Sequence, residues 1–109
     1  MEATDYPRIG LASDHAGYEI KEFIRICLDK REIPHIDYGT YTAESVNYAD
    51  YGHRLAQAIE NGEVGVGIAV CGSGNGINMT LNKHAHIRSA LCWNEESTAL
   101  AREHNDANV

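Results

Sequence analysis

Cys71 is followed by glycine at positions 72, 74 and 76, and that alternation of a thiol with bare backbone can do chemistry. The preceding run, Val64-Gly65-Val66-Gly67-Ile68-Ala69-Val70, is apolar and β-branched and reads as a buried strand. The next segment, Ile77 to Lys83, reads as helical. A strand, a glycine-rich turn and a helix N-terminus together make an anion site, because unpaired backbone N–H groups and the helix dipole aim at one spot. A thiol at that spot is favoured as thiolate. The loop therefore offers a polarising cradle together with a base or nucleophile. From the loop alone a buried structural cysteine beside a tight turn stays open, since free cysteine is among the most buried residue types.

Spacing excludes three familiar loops. A dinucleotide fingerprint starting at Gly72 needs glycine where Ile77 stands. A Walker A loop needs lysine directly after its last glycine, and none is there. A cysteine phosphatase needs arginine six residues after the nucleophile to hold the phosphoryl group, and that position is again Ile77.

The elements that must position this loop follow from periodicity. Arg8 to Ser13 reads as a strand that opens into Asp14-His15-Ala16-Gly17. Ile20, Phe23, Ile24, Cys27 and Leu28 repeat at helical spacing, with Lys21, Glu22, Arg25 and Asp29 between them as the polar face. Ile33 to Tyr38 reads as a second strand ending at Gly39, and Thr40 to Asn47 as a loop. Tyr51, Leu55, Ala58 and Ile59 form a second helical stripe, closed by Asn61-Gly62. After the glycine-loop helix a fourth strand is expected from Ile87 to Cys92. Asn94 then caps a helix from Glu95 to Glu103, with Glu95 and Glu96 complementing its dipole. Ala107-Asn108-Val109 looks like the beginning of a further strand.

Strands alternating with helices imply right-handed crossovers and a parallel sheet covered on both faces. Ligands of such sheets bind beyond the carboxyl ends of the strands. Asp14-His15 and Cys71-Gly72-Ser73 both follow strands directly, so both should face one crevice.

A chain of 109 residues is expected to form one domain. Its 16 acidic and 9 basic residues give a formal charge of −7, which argues against nucleic-acid binding. No window approaches 18 consecutive apolar residues, and Met1 to Pro7 shows no signal-peptide core, so no membrane partner and a cytoplasmic setting are expected. Cys27, Cys71 and Cys92 are odd in number and lack a C-x-x-C pair, which suggests reduced thiols. His84 and His86 lack a visible third ligand for a metal.

Five ordered motifs carry a resemblance: Ala12-Ser13-Asp14-His15-Ala16-Gly17, Asp37-Tyr38-Gly39-Thr40, Cys71-Gly72-Ser73-Gly74-Asn75-Gly76-Ile77, Asn82-Lys83, and His104-Asn105-Asp106-Ala107-Asn108-Val109. Together they resemble the ribose-5-phosphate isomerase B family, which includes galactose-6-phosphate isomerase subunits and allose-phosphate isomerases. The resemblance implies a Rossmann-like three-layer α/β/α sandwich and cofactor-free, metal-free aldose–ketose isomerisation of a sugar phosphate. Ribose 5-phosphate to ribulose 5-phosphate through an enediolate is the leading reaction. A homodimer or higher homo-oligomer, with active sites straddling the interface, is also implied.

By position, the resemblance makes Cys71 the proton-transfer base. Some members use a glutamate at the place of Ile77, which cannot take a proton, so this chain looks like the cysteine type. Ser73 stands where many members have threonine, and the amides from Gly72 through Gly74 and Asn75 to Gly76 would hold the enediolate. Asp14 and His15 match residues that contact sugar and phosphate, Tyr48 a pocket tyrosine, and His104 the histidine of ring opening, with Asn105 beside it. Relatives continue through another strand and a C-terminal helix whose arginines bind phosphate. A chain ending at Val109 is thus expected to be weakly active and prone to self-association, with His15 and Arg8 among its few candidate phosphate cations.

Duller roles exist for the same residues: Asp14 as a turn cap, His15 as a solvated loop residue, Tyr48 as helix-entry packing. Cys27 and Cys92 read as core, Lys83 and Arg88 as surface charges. Other functions consistent with the sequence are a phosphosugar-binding module, a hexose 6-phosphate isomerase, and a thiol enzyme forming a covalent adduct on Cys71.

Overall fold

The computed structural model describes residues 7–109. The expectation for Met1 to Pro7 therefore lies outside the described residues, apart from Pro7 itself. Among them, β1 (Ile9–Ser13), β2 (His35–Asp37) and β3 (Val66–Val70) form a parallel sheet in the order β2-β1-β3. The helices are α1 (Tyr18–Lys30), α2 (Tyr48–Glu60), α3 (Asn75–Leu81) and α4 (Glu95–Asn105). None of them is long and apolar enough to cross a membrane.

Caps start the helices where short polar side chains can accept from free amides. Asn47 Oδ1 accepts from the Ala49 N–H at 2.9 Å, and Asn94 Oδ1 from the Ser97 N–H at 2.7 Å. Gly62, at φ +78°, follows the C-cap Asn61 and allows the chain to turn away.

The central strand is buried on both faces, as parallel strands under crossover helices must be. Gly10 and Ala12 face α2, while Leu11 and Ser13 point to the opposite, α1 side. A Cβ at Gly67 would lie 2.9 Å from Leu55 Cδ2, so glycine lets α2 sit directly on the sheet. Leu55, Ala56, Ile77, Leu81, Ala12 and Ile87 form the core on that side. Each large apolar side chain buried there contributes about 1.5–3 kcal/mol. The result is the expected three-layer α/β/α sandwich, with α2 and α3 on one face and α1 on the other.

Two expectations need correction. In α1, Ile20 is 57 % and Phe23 67 % exposed, whereas Lys21, expected on the polar face, is only 1 % exposed. The helix turns Lys21 inward because its ammonium meets the Asp37 carboxylate at 2.6 Å and that of Glu22 at 3.0 Å. Leu28 remains buried and Ile24 and Cys27 half-buried, so it is the N-terminal part of the stripe, Ile20 and Phe23, that the ion pair leaves outside.

The segment from Ile87 to Cys92 is not a strand. Residues 107–109 lie between it and β3: Gly67 N–H donates to Asn108 C=O at 2.8 Å, while Asn108 N–H donates to Arg88 C=O at 2.9 Å and Ala90 N–H to Val109 C=O at 3.1 Å. Neither segment forms a regular ladder, and residues 107–109, expected to begin a strand, make isolated backbone bonds to β3 and to residues 88 and 90.

Candidate active site

The last rungs of the parallel ladder bring the two expected loops together. Ser13 pairs in register with Val70, and the Asp14 N–H donates to the Val70 carbonyl at 3.2 Å. Asp14 and Cys71 are thus the first residues beyond two neighbouring strands. Contact continues into the loops, since a Cβ on Gly17 would fall 2.5 Å from the Val70 carbonyl oxygen. Only glycine lets α1 begin so close to β3.

Asp14 is buried, and its Oδ1 accepts from the Gly17 N–H at 2.9 Å. This caps the turn and leaves the second carboxylate oxygen for a hydroxyl group. His15 Nδ1 accepts from the Val46 N–H at 3.1 Å. The neutral ring therefore carries its proton on Nε2, which is left to donate. Val46 belongs to the strap between β2 and α2, a partner that sequence reasoning missed because it is thirty-one residues away.

In the glycine loop, Cys71 Sγ accepts from the Gly74 N–H at 3.2 Å, and Ser73 Oγ from the Asn75 N–H at 3.2 Å. A backbone donor aimed at sulfur holds the Cys71 side chain over the loop. The Gly72, Ser73 and Gly76 amides have no acceptor among the described residues, which leaves them for a ligand oxygen. Gly74 has φ +83°, and a Cβ there would also meet Leu91 Cδ1 at 2.7 Å, so a side chain is excluded twice. Gly76 admits the Tyr48 ring, whose Cζ would lie 2.6 Å from an added Cβ. Tyr48 thereby covers the start of α3.

Asp14, His15, Tyr48 and the run from Cys71 through Gly72, Ser73, Gly74 and Asn75 to Gly76 thus form one cluster. His104 and Asn105 are not brought to it within the chain. Helix α4 spans about 16 Å at 1.5 Å per residue, from the Asn94 cap back past the sheet edge. Its end is fixed beside the first half of β3, where Arg88 Nε donates to Asn105 C=O at 2.6 Å and Asn108 pairs with Gly67. Arg8 adjoins the start of β3, its carbonyl accepting from Gly65 N–H, so it too lies at the wrong end for the phosphate.

A cavity of about 720 Å³ follows β3 and the adjoining residues 107–109 towards Ser89 and Ala90. Most of its length is apolar and unlike a sugar phosphate. Its end at Cys71 to Gly74, next to Asp14, has the polar groups such a ligand needs. No group of three or more His, Cys, Asp or Glu among the described residues is arranged to hold a metal ion.

Comparison with known proteins places the chain in a family. Residues 9–109 match the family model described as Ribose/Galactose Isomerase. The chain is similar to ribose-5-phosphate isomerase B of Escherichia coli, 40 % identical over 102 residues, covering 94 % of this chain and 68 % of that protein. Among solved structures, ribose-5-phosphate isomerase B of Clostridium thermocellum superimposes with a TM-score of 0.91 at 46 % identity, over 93 % of this chain and 68 % of that one. The Thermotoga maritima enzyme gives 0.92 at 42 % identity, over 94 % and 71 %. The chain belongs to the ribose/galactose isomerase family.

Proposed function

We propose that this chain is a metal-independent aldose–ketose isomerase converting ribose 5-phosphate to ribulose 5-phosphate, with Cys71 as the base. The Cys71 thiolate takes the proton from C2 of the open-chain aldose. The electron pair of that C–H bond forms the C1=C2 double bond, and the carbonyl π electrons move onto O1. The Gly72, Ser73 and Gly76 amides meet the charge as it develops, each such donor being worth about 3–4 kcal/mol. Return of the proton from Cys71 to C1, with transfer of the O2 proton to O1 as the C2 carbonyl forms, yields the ketose. Asp14 accepts from a sugar hydroxyl and His15 Nε2–H donates to the phosphate.

The observation that carries the reading is the juxtaposition of Asp14 and Cys71 at adjacent strand ends, with unpaired loop amides beyond. Support for ribose 5-phosphate comes from the names of the relatives, several of which are called ribose-5-phosphate isomerase B. A homodimer belongs to the proposal, because ring opening by His104 then uses the histidine of a second copy. A cytoplasmic setting fits three unpaired cysteines.

The test is turnover of a panel comprising ribose 5-phosphate, allose 6-phosphate and galactose 6-phosphate, followed by ketose formation. Preference for a hexose phosphate would replace the substrate and leave the chemistry. Binding without turnover of any member would make the protein a phosphosugar-binding module instead.

A further inference from the structure

Lys21 has no part in the chemistry above, yet its ammonium is buried under α1. A buried charge is tolerated only where partners surround it. Lys21 Nζ lies 2.6 Å from Asp37 Oδ2 and 3.0 Å from Glu22 Oε2, with the Tyr18 and Tyr41 rings 5.4 and 5.9 Å away. Asp37 ends β2, and its other oxygen, Oδ1, accepts from the Gly39 N–H at 2.8 Å. The Asp37 carbonyl accepts from Tyr41 O–H at 2.9 Å. Every acceptor on Asp37 that faces the strap is therefore engaged, and Lys21 anchors the carboxylate that organises it.

From Gly39 the connection runs straight to the site. Ser13 N–H donates to the Gly39 carbonyl at 2.7 Å, and Thr40 N–H returns to the Ser13 carbonyl at 2.8 Å. Asp14 is the next residue along. The strap that leaves Thr40 then reaches Val46, whose N–H holds His15 Nδ1. One end of the strap thus fixes the backbone before Asp14 and the other fixes the ring of His15. We infer that Lys21 is a positioning residue: acting through Asp37 and the Gly39–Thr40 segment, it sets the strap that aligns Asp14 and His15 for the sugar phosphate, a role that rests on the isomerase reading above.

A residue that merely filled the core would be replaced by an unbranched apolar side chain at no cost to the strap. Lys21→Met keeps an unbranched side chain one atom shorter and removes the charge, while Asp37→Asn keeps an oxygen for Gly39 and weakens the hold on Lys21. Both variants are compared with wild type by circular dichroism, by long-range nitrogen–proton NMR of the His15 ring, and by steady-state kinetics on ribose 5-phosphate. The expected result is a folded protein in which the hydrogen-bonded Nδ1 signal of His15 moves, and KM rises about tenfold while kcat changes far less. If Lys21→Met does not fold, Asp37→Asn is read by the same measures. A folded variant with an unchanged His15 signal and unchanged KM overturns the inference. Absence of turnover in wild type sinks the isomerase reading alone, because the His15 signal still reports whether Lys21 sets the strap.

Discussion

Asp14 and Val70 are joined by the last backbone hydrogen bond between β1 and β3, at 3.2 Å. That bond puts a carboxylate and the Cys71 thiol on adjacent strand ends before any loop has chosen its path. Placement of the two residues thus follows from the register of the ladder. Removal of the thiol should leave this frame intact. Cys71→Ala is expected to lower kcat by at least the roughly 10²-fold contributed by a general base, with KM largely kept. A steady-state assay checks both numbers, and turnover like wild type would remove Cys71 from its role. Activity should also survive EDTA; a loss restored by a divalent ion would contradict the metal-independent scheme.

Tyr48 packs where Gly76 has no side chain, so the two positions should behave as one unit. Gly76→Ala forces the ring aside by a clash at 2.6 Å. The expected consequence is a rise in KM of at least about threefold, since Tyr48 no longer covers the first turn of α3. Tyr48→Ala should then add little to Gly76→Ala, a non-additivity that a double-mutant cycle measures. Fully additive effects would show that the tyrosine works independently of the glycine loop.

The glycine loop was legible because its signal is local: a β-branched run, then glycines where backbone must approach a neighbour. The helix cap at Asn94 was legible for the same reason, whereas Asn47, read only as the end of a loop, proved to cap α2. The orientation of α1 was not, because Lys21 is buried by Asp37, sixteen residues away, and no periodicity encodes that pairing. The strand expected from Ile87 to Cys92 failed on pairing too, since its neighbours are residues 108 and 109, some twenty positions on, and no local pattern encodes that contact. His104 entered the candidate site by resemblance alone, and no local signal said that the length of α4 carries it back along the sheet from Cys71 of its own chain.

Alkaline sensitivity should localise to Tyr38. Burial, and then its hydrogen bond to the Glu63 carboxylate, push its pKa up from 10.0 to about 12. Between those values the unfolded chain releases a proton that the folded chain keeps, so stability is full below pH 10 and falls as pH rises towards 12. Urea midpoints measured from pH 9 upwards should therefore drop, and Tyr38→Phe should flatten the slope. Identical slopes for the two proteins would assign the alkaline loss to other groups.

The separation of His104 from Cys71 gives the sharpest test of a shared active site. Cys71 ends β3, whereas the turn after His104 is tied to Arg88 and Gly67 near the start of that strand. Gly67 and Cys71 are four residues apart in sequence, about 13 Å of extended chain. A histidine there does not reach a sugar held at Cys71 of its own chain. If His104 of a second copy opens the ring, Cys71→Ala and His104→Ala should complement each other. In a two-fold dimer reassembled from equal amounts of both, half the molecules are mixed and each has one intact site, so about a quarter of wild-type activity should return. His104→Ala alone should be impaired on ribose 5-phosphate and much less on a sugar phosphate too short to cyclise. No recovery on mixing, with His104→Ala still selectively impaired on cyclic substrates, would mean that the histidine acts within its own chain after a rearrangement of α4.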